Sequence, residues 1–175
     1  FKHEIHGDVR IDNYYWLNER DNDKVIDYLN NENSYTHKIL KPTQKLQDEL
    51  FQEMKSRIKE EDTSVPYYYN EYWYMRKYEK GKDYPVYLRK YKSLDANEEL
   101  LVDVNELAKG YSYFQLRGIS ISPDNKKMAY AVDTLSRRIY TIKIKNLETG
   151  EMYNEQIRNT TGGSTWANDN KTLFY

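Results

Sequence analysis

The sequence predicts a mainly β protein, a partial β-propeller preceded by an N-terminal helical arm. The first observation is a run of short strands. Gly118 to Ser122, Met128 to Val132 and Ile139 to Ile144 suit a pleated, half-buried surface, and the last alternates with period two. Pro123-Asp124-Asn125 is turn chemistry, because Pro fixes φ and Asp or Asn tolerates the left-handed region. Leu147-Glu148-Thr149-Gly150 closes the unit with another turn. The second observation is recurrence. Asp124-Asn125-Lys126 with Tyr130 returns as Asp169-Asn170-Lys171 with Tyr175, a shift of 45 residues (169 − 124). Tyr87 to Leu94 lies over Tyr140 to Leu147 with a shift of 53 (140 − 87). A β unit repeating at about 40–50 residues is the mark of a propeller blade. The third is composition: 19 tyrosines stand against 4 phenylalanines. Tyrosine fits strands that are packed on one face and wet on the other.

The 175 residues hold about two complete blades and the first hairpin of a third. Closing a ring takes typically four to eight blades. The chain also stops at Tyr175 in mid-strand, so it is expected to be a piece of something larger. With 27 basic and 28 acidic residues the net charge is −1, and no long-range field points to nucleic acid or an acidic membrane. There are no cysteines, which excludes disulfides and thiolate metal sites without fixing the compartment. No apolar run approaches membrane-span length and no signal peptide is visible. Because Phe1 is not a start methionine, a removed leader stays open; the expected location is cytoplasmic, with the periplasm as the alternative.

Residues 1–20 carry little periodicity. Asp12-Asn13-Tyr14-Tyr15-Trp16-Leu17 reads as an aromatic anchor of a loop against a core, with sugar stacking as the sharper alternative. His3 and His6 flank Glu4, but two histidines with no third ligand in sequence read as surface residues. From Asn22 to about Lys41, Val25, Leu29 with Tyr28, Tyr35 and Ile39 fall near the helical period. Asp21 or Asn22 can cap this helix, and Pro42 forbids its continuation. His37, between polar neighbours, reads as solvated. A second helix is expected from Thr43 to about Lys59. Its stripe is Leu46, Leu50, Met54 and Ile58, widened by Phe51, with Lys45, Glu49, Glu53 and Lys55 on the other side. Such a stripe reads first as core packing and second as a partner-docking face.

Arg57 to Pro66 marks a boundary where charge concentrates and Pro66 forces an extended conformation before it. The triplet Glu60-Glu61-Asp62 reads as a solvated linker, because paired acid/base carboxylates need different environments to split their pKa values. Strands are then expected at Tyr67–Tyr69, Tyr72–Lys77, Tyr84–Lys92 and Glu99–Val104. Asn70-Glu71 is a tight-turn candidate without the usual glycine. Asn105 to Gly110 reads as one helical turn stopped by glycine, and Glu151–Ile157 as another strand. Thr160-Thr161-Gly162-Gly163-Ser164 reads as a turn before Trp166 opens the next blade.

No chemistry emerges from the residues alone. Gly162-Gly163-Ser164 lacks the G-x-S-x-G pattern and the strand-to-helix setting of a nucleophile elbow. Phosphate loops, dinucleotide fingerprints, H-E-x-x-H and EF-hand loops are missing. The basic residues alternate with acidic ones, without a nucleic-acid footprint. No catalytic, cofactor-binding or metal residue is therefore assigned, and no cofactor is expected.

Several stretches nevertheless resemble one family. Asp12-Asn13-Tyr14-Tyr15-Trp16-Leu17 is similar to the opening D-x-Y-x-W-L motif of the prolyl oligopeptidase family of serine peptidases, and Arg57–Glu60 with Ser64-Val65-Pro66 to its approach to the propeller. Tyr78 to Pro85, Val102 to Asn105, Ser122-Pro123-Asp124, Asn146 to Gly150 and Trp166 to Asp169 resemble its blade motifs. Tyr-x-x-Gly-Lys-x-Tyr-Pro and the Asp-x-Asn turn point to the oligopeptidase B (protease II) branch. Ser136 departs from the pattern, since glycine is expected before that strand. The resemblance implies a seven-bladed propeller and an α/β-hydrolase domain following it, with a Ser-Asp-His triad and acidic residues that select Arg or Lys before the cut. None of those residues lies in this chain. Residues 1–65 would pack as a helical arm on the hydrolase domain, and residues 66–175 would begin the propeller. The propeller's implied role is to cap the active site, admitting short peptides and excluding folded proteins. A propeller binding module for a peptide, glycan or protein is the alternative. A piece folding alone would expose strand edges and helix faces, so self-association is expected.

Overall fold

A computed structural model describes residues 1–175, which divide into two compact units, Phe1–Ile58 and Lys59–Tyr175. The first unit opens with a hairpin where little periodicity was visible. Strand β1 (Lys2–Ile5) pairs antiparallel with β2 (Asp8–Ile11) through a turn in which His6 (φ 55°) and Gly7 (φ 81°) are both left-handed. Two positive φ values in a two-residue loop match the twist of paired strands, so the turn rather than side-chain alternation sets this hairpin. A 3-10 turn spans Tyr15–Asn18.

Helix α1 (Asp23–Leu40) is capped by Asn22, whose side chain accepts from the Lys24 amide at 3.0 Å. Pro42 does end α-helical bonding, yet the backbone stays right-handed helical through a 3-10 turn at Lys41–Thr43 into α2 (Gln44–Ser56). Proline sits at the start of that turn, where its missing N–H costs no intrahelical bond. The core-packing reading of the α2 stripe does not hold. Leu46, Leu50, Phe51, Met54 and Ile58 are all exposed, and Val25 is the one buried residue of α1.

The second unit is built of blades. The first has strand order β3-β5-β6-β7, with β4 beside β3 on the same edge of β5: β3 (Asp62–Thr63), β4 (Tyr67–Tyr69), β5 (Tyr72–Tyr78), β6 (Val86–Tyr91) and β7 (Glu98–Asp103). The stretch read as linker thus contributes strand β3, a pairing set by its partner β5 rather than by its own acidic residues. Thr63 lies opposite Lys77 and Tyr67 opposite Tyr74, which leaves one extra residue at Ser64-Val65-Pro66. Pro66 has no N–H to give the ladder, and a bulge accommodates it. The Ser64 hydroxyl steps in, accepting from the Arg76 amide at 3.0 Å. The expected strand from Tyr84 starts instead at Val86, because the Asn105 side chain takes both backbone groups of Tyr84 (2.9 and 2.8 Å).

Asp103 caps the short helix α3 (Val104–Leu107), the expected helical turn, and Gly110 follows with φ 84°. The second blade has order β8-β9-β10-β11: β8 (Gln115–Ile121), β9 (Lys127–Asp133), β10 (Tyr140–Asn146) and β11 (Met152–Thr160). Gly118, expected to start β8, is instead a bulge inside it. The hairpin β12 (Thr165–Trp166) and β13 (Leu173–Phe174) begins a third blade. The sheets do not close on one another, as a partial propeller requires.

The recurrence needs one correction. The 45-residue shift places Asn125 (φ 63°) on Asn170 (φ 58°), equivalent turn residues. For the first two blades, Tyr74 opposite Arg89 answers to Ala129 opposite Ile144, a shift of 55 (129 − 74, 144 − 89) rather than 53. The error is an even number, so it leaves every side chain on its correct face.

Cores form between blades. Tyr74, Leu101 and Val102 of the first blade meet Met128, Tyr130 and Val132 of the second, with Val104 and Phe114 beside them. The other face of β9, Ala129 and Ala131, joins Tyr140, Ile142 and the third-blade Trp166. Burying a side chain such as Ile142 contributes about 1.5–3 kcal/mol.

Candidate functional site: the inter-blade seam

Polar groups gather at one end of the seam, at the turns joining the first two strands of each blade. Asn70 (φ 45°) and Glu71 (φ 70°) make the glycine-free turn between β4 and β5. Asn70 Nδ2 donates to the Pro123 carbonyl (2.8 Å) and to Asn125 Oδ1 (3.1 Å), and Asn125 Nδ2 donates back to the Asn70 carbonyl (3.1 Å). One blade on, the Asp124 amide donates to Asn170 Oδ1 (2.8 Å) and Lys127 Nζ to the Asn170 carbonyl (2.7 Å). Ser122 is fully buried, its hydroxyl donating to Asp124 Oδ1 and accepting from the Lys127 amide.

Arg89 stands behind this turn and is 5% exposed. Its Nε donates to Glu99 (2.8 Å), its Nη1 to the Asn125 carbonyl (3.0 Å), and its guanidinium lies 3.9 Å from the centre of the Tyr72 ring. A buried cation is tolerable only with such partners. Burial raises the Tyr72 and Tyr74 phenols above their usual range, and Arg89 partly opposes this. Lys145 Nζ donates to the Leu101 carbonyl (2.8 Å) across the blades, and burial lowers its pKa.

The carboxylates here do turn-building work. Desolvation pushes Asp124 up, but the Ser122 hydroxyl and Lys126 amide more than offset it and the net shift is downward. The same holds for Asp133, which is 1% exposed: amides of Leu135, Arg137 and Arg138 donate to its carboxylate and hold it ionised. That loop explains the departure at Ser136, which sits at φ 56° where glycine would be relaxed. Asp169 is held down to about 2 by the Thr172 and Lys171 amides and the Thr172 hydroxyl.

A cleft of about 300 Å³ opens at the β3–β4 bulge, lined by Ser64, Val65, Tyr67, Arg76 and Tyr87 among others, with the Tyr74 hydroxyl buried nearby without a partner. It brings together no nucleophile and base. Gly162-Gly163-Ser164 is a turn between β11 and β12, and Glu60 and Glu61 are exposed. His3 packs edge-on against Phe1 and Tyr15, His6 turns the first hairpin, and His37 is exposed on α1. Phe1 stacks on Tyr15 (4.0 Å) and Trp16 meets Tyr28 edge-on (5.6 Å), so the aromatic cluster packs locally. No three His, Cys, Asp or Glu side chains converge as a metal group, and no helix is long and apolar enough to cross a membrane. Sequence reasoning placed Asn70 in a tight turn but not at a seam, and it missed Arg89 and Asp133. Only Asn70 left a signal, an Asn at a tight turn spaced 55 residues from Asn125.

Comparison with known proteins gives this geometry a setting. The family described as "Prolyl oligopeptidase, N-terminal beta-propeller domain" matches residues 1–175. A dipeptidyl aminopeptidase BI from Pseudoxanthomonas mexicana is 40% identical over 97% of the chain, and a protease 2 from Moraxella lacunata 36% identical over 99%. The chain spans about a quarter of each relative's length, 26% in both cases. Among solved structures, oligopeptidase B from Leishmania major superimposes with a TM-score of 0.81 at 29% identity, covering 91% of this chain and 23% of that one.

Proposed function

Because the chain belongs to the prolyl oligopeptidase family of serine peptidases and matches its N-terminal β-propeller domain from end to end, we propose that it is the non-catalytic portion of an oligopeptidase cleaving short peptides after Arg or Lys. The match over residues 1–175 carries this reading, together with the similarity to proteins named protease 2 and oligopeptidase B. The propeller caps an active site built by an α/β-hydrolase domain elsewhere in the protein, admitting flexible peptides and excluding folded ones. Serine attack with histidine as base belongs to that domain. The arm, Phe1–Ile58, docks on it, and the exposed Leu46, Leu50, Phe51 and Met54 offer the apolar surface such docking needs.

A second reading has its own support, since the relative at 40% identity is named a dipeptidyl aminopeptidase. In that case the full protein releases dipeptides from free N-termini. Fluorogenic substrates separate the two: an N-blocked Arg dipeptide and an unblocked dipeptide are offered to the full-length protein and to residues 1–175. Hydrolysis of the blocked Arg substrate by the full-length protein alone is expected. Turnover of unblocked dipeptides only supports the second reading, and no hydrolysis by a well-folded full-length protein favours a propeller binding module instead.

A further inference from the structure

Eight side-chain hydrogen bonds cross from one blade to the next, and they are unevenly placed. Six involve the turns that carry Asn70, Asn125 and Asn170. The other two, Lys145 to the Leu101 carbonyl and Trp166 to the Ser120 carbonyl, come from strand residues. None lies at the opposite end, where β5 turns into β6, β9 turns into β10, and the chain passes from blade to blade. What reaches the second blade there is apolar, Val104 and Phe114 clustering with Val132 of β9, while the Asn105 side chain bonds Tyr84 and Asp103, between the connector and the first blade.

We propose that the three left-handed asparagines form a clasp that makes the seam a hinge. Any widening between adjacent blades opens from the connector end, while the turns at Asn70, Asn125 and Asn170 stay together. Hydrogen bonds fix distance and direction, whereas apolar contact is non-directional and tolerates sliding. Asparagine serves both needs at these positions. It tolerates the left-handed backbone of the turn, and its amide is a donor and an acceptor at once, so Asn70 and Asn125 can bond reciprocally. Arg89 ties the clasp to the body of the first blade, and Lys127 ties the second blade to Asn170.

The test uses spin-label pairs on the full-length protein, in a background without other accessible cysteines. One pair, Glu71→Cys with Lys126→Cys, spans the first two blades at the clasp. The other, Lys82→Cys with Leu135→Cys, spans them at the connector end, where Leu135 is 73% exposed. A narrow distance distribution at the clasp and a broad one at the connector end are expected. Asn125→Gly keeps the left-handed turn without strain but removes both side-chain bonds to Asn70, leaving those from Asn70 to the Pro123 carbonyl and from Arg89 to the residue-125 carbonyl, so the difference between the two widths should shrink. Asn70→Gly removes the two bonds its own amide donates, to the Pro123 carbonyl and to Asn125 Oδ1, while keeping the backbone carbonyl that Asn125 Nδ2 reaches, and should also broaden the clasp pair. Equal widths in the unmodified seam, or a clasp pair unchanged by both glycine variants, would overturn the proposal.

Discussion

The helical arm and the blades treat their apolar residues in opposite ways. In the blades, Met128, Ala129 and Ala131 are wholly buried, each sealed by a neighbouring sheet. In the arm, the stripe of α2 faces outward, with Leu50 46% exposed and Met54 61% exposed. The α2 stripe repeats every four residues, whereas β9 is buried on both faces from Met128 to Asp133. A regular stripe therefore marks an apolar face without saying that this chain covers it. The blades carry their own covers because each sheet is followed in sequence by the next.

Glycine substitutions sharpen the contrast most. Gly118→Ala should cost about 4 kcal/mol or prevent folding, since a Cβ would stand 1.9 Å from the Gly162 carbonyl oxygen at a backbone φ of 66°. Gly7→Ala in the arm hairpin, also left-handed but with open space around it, should cost only about 1 kcal/mol. Denaturant unfolding of the two variants checks the difference, and equal losses would break it.

Side-chain deletions give the next largest effects. Ile142→Ala should lose about 2–5 kcal/mol wherever it is measured, because the cavity lies inside the blades. Leu50→Ala should stay within about 0.5 kcal/mol in residues 1–175 alone, and lose substantially more in a full-length protein that covers α2. Residues 1–175 alone should also self-associate through open strand edges and the α2 face. Light scattering that finds a monomer at high concentration would count against this.

Acid has the smallest and most local effect. The folded value of Asp169 is about 2 against an ordinary 3.8, so its support for the third-blade turn is complete above 3.8 and is lost as pH falls toward 2. The Lys171 and Thr172 amide resonances should shift in that window and hold steady above it.

Much of the blade region was legible because its signals are local. Pro123-Asp124-Asn125 and Asp169-Asn170 write their turns into adjacent residues, and the strands between them follow. Most of what escaped depends on partners distant in sequence. Arg89 sits in a Tyr/Lys strand that reads as half-wet, and only the arrival of Asn125 and Tyr72 buries it. Strand β3 exists because Lys77 and Tyr78 pair with Thr63 and Asp62. The first hairpin turns on His6-Gly7, with strands of four residues, too short for alternation to register. As for the seam, the motif Asp-Asn-Lys announced two turns of the clasp, while Asn70 lay in a turn with different neighbours.

The measurement that bears most directly on this account is amide hydrogen exchange, residue by residue, in dilute residues 1–175 and in the full-length protein. The account predicts that β9 is protected in both, while α2 exchanges fast alone and becomes protected in the full-length protein. Protection of α2 in the dilute chain, or its absence in the full-length protein, would contradict the claim that the arm waits for a cover the blades do not need.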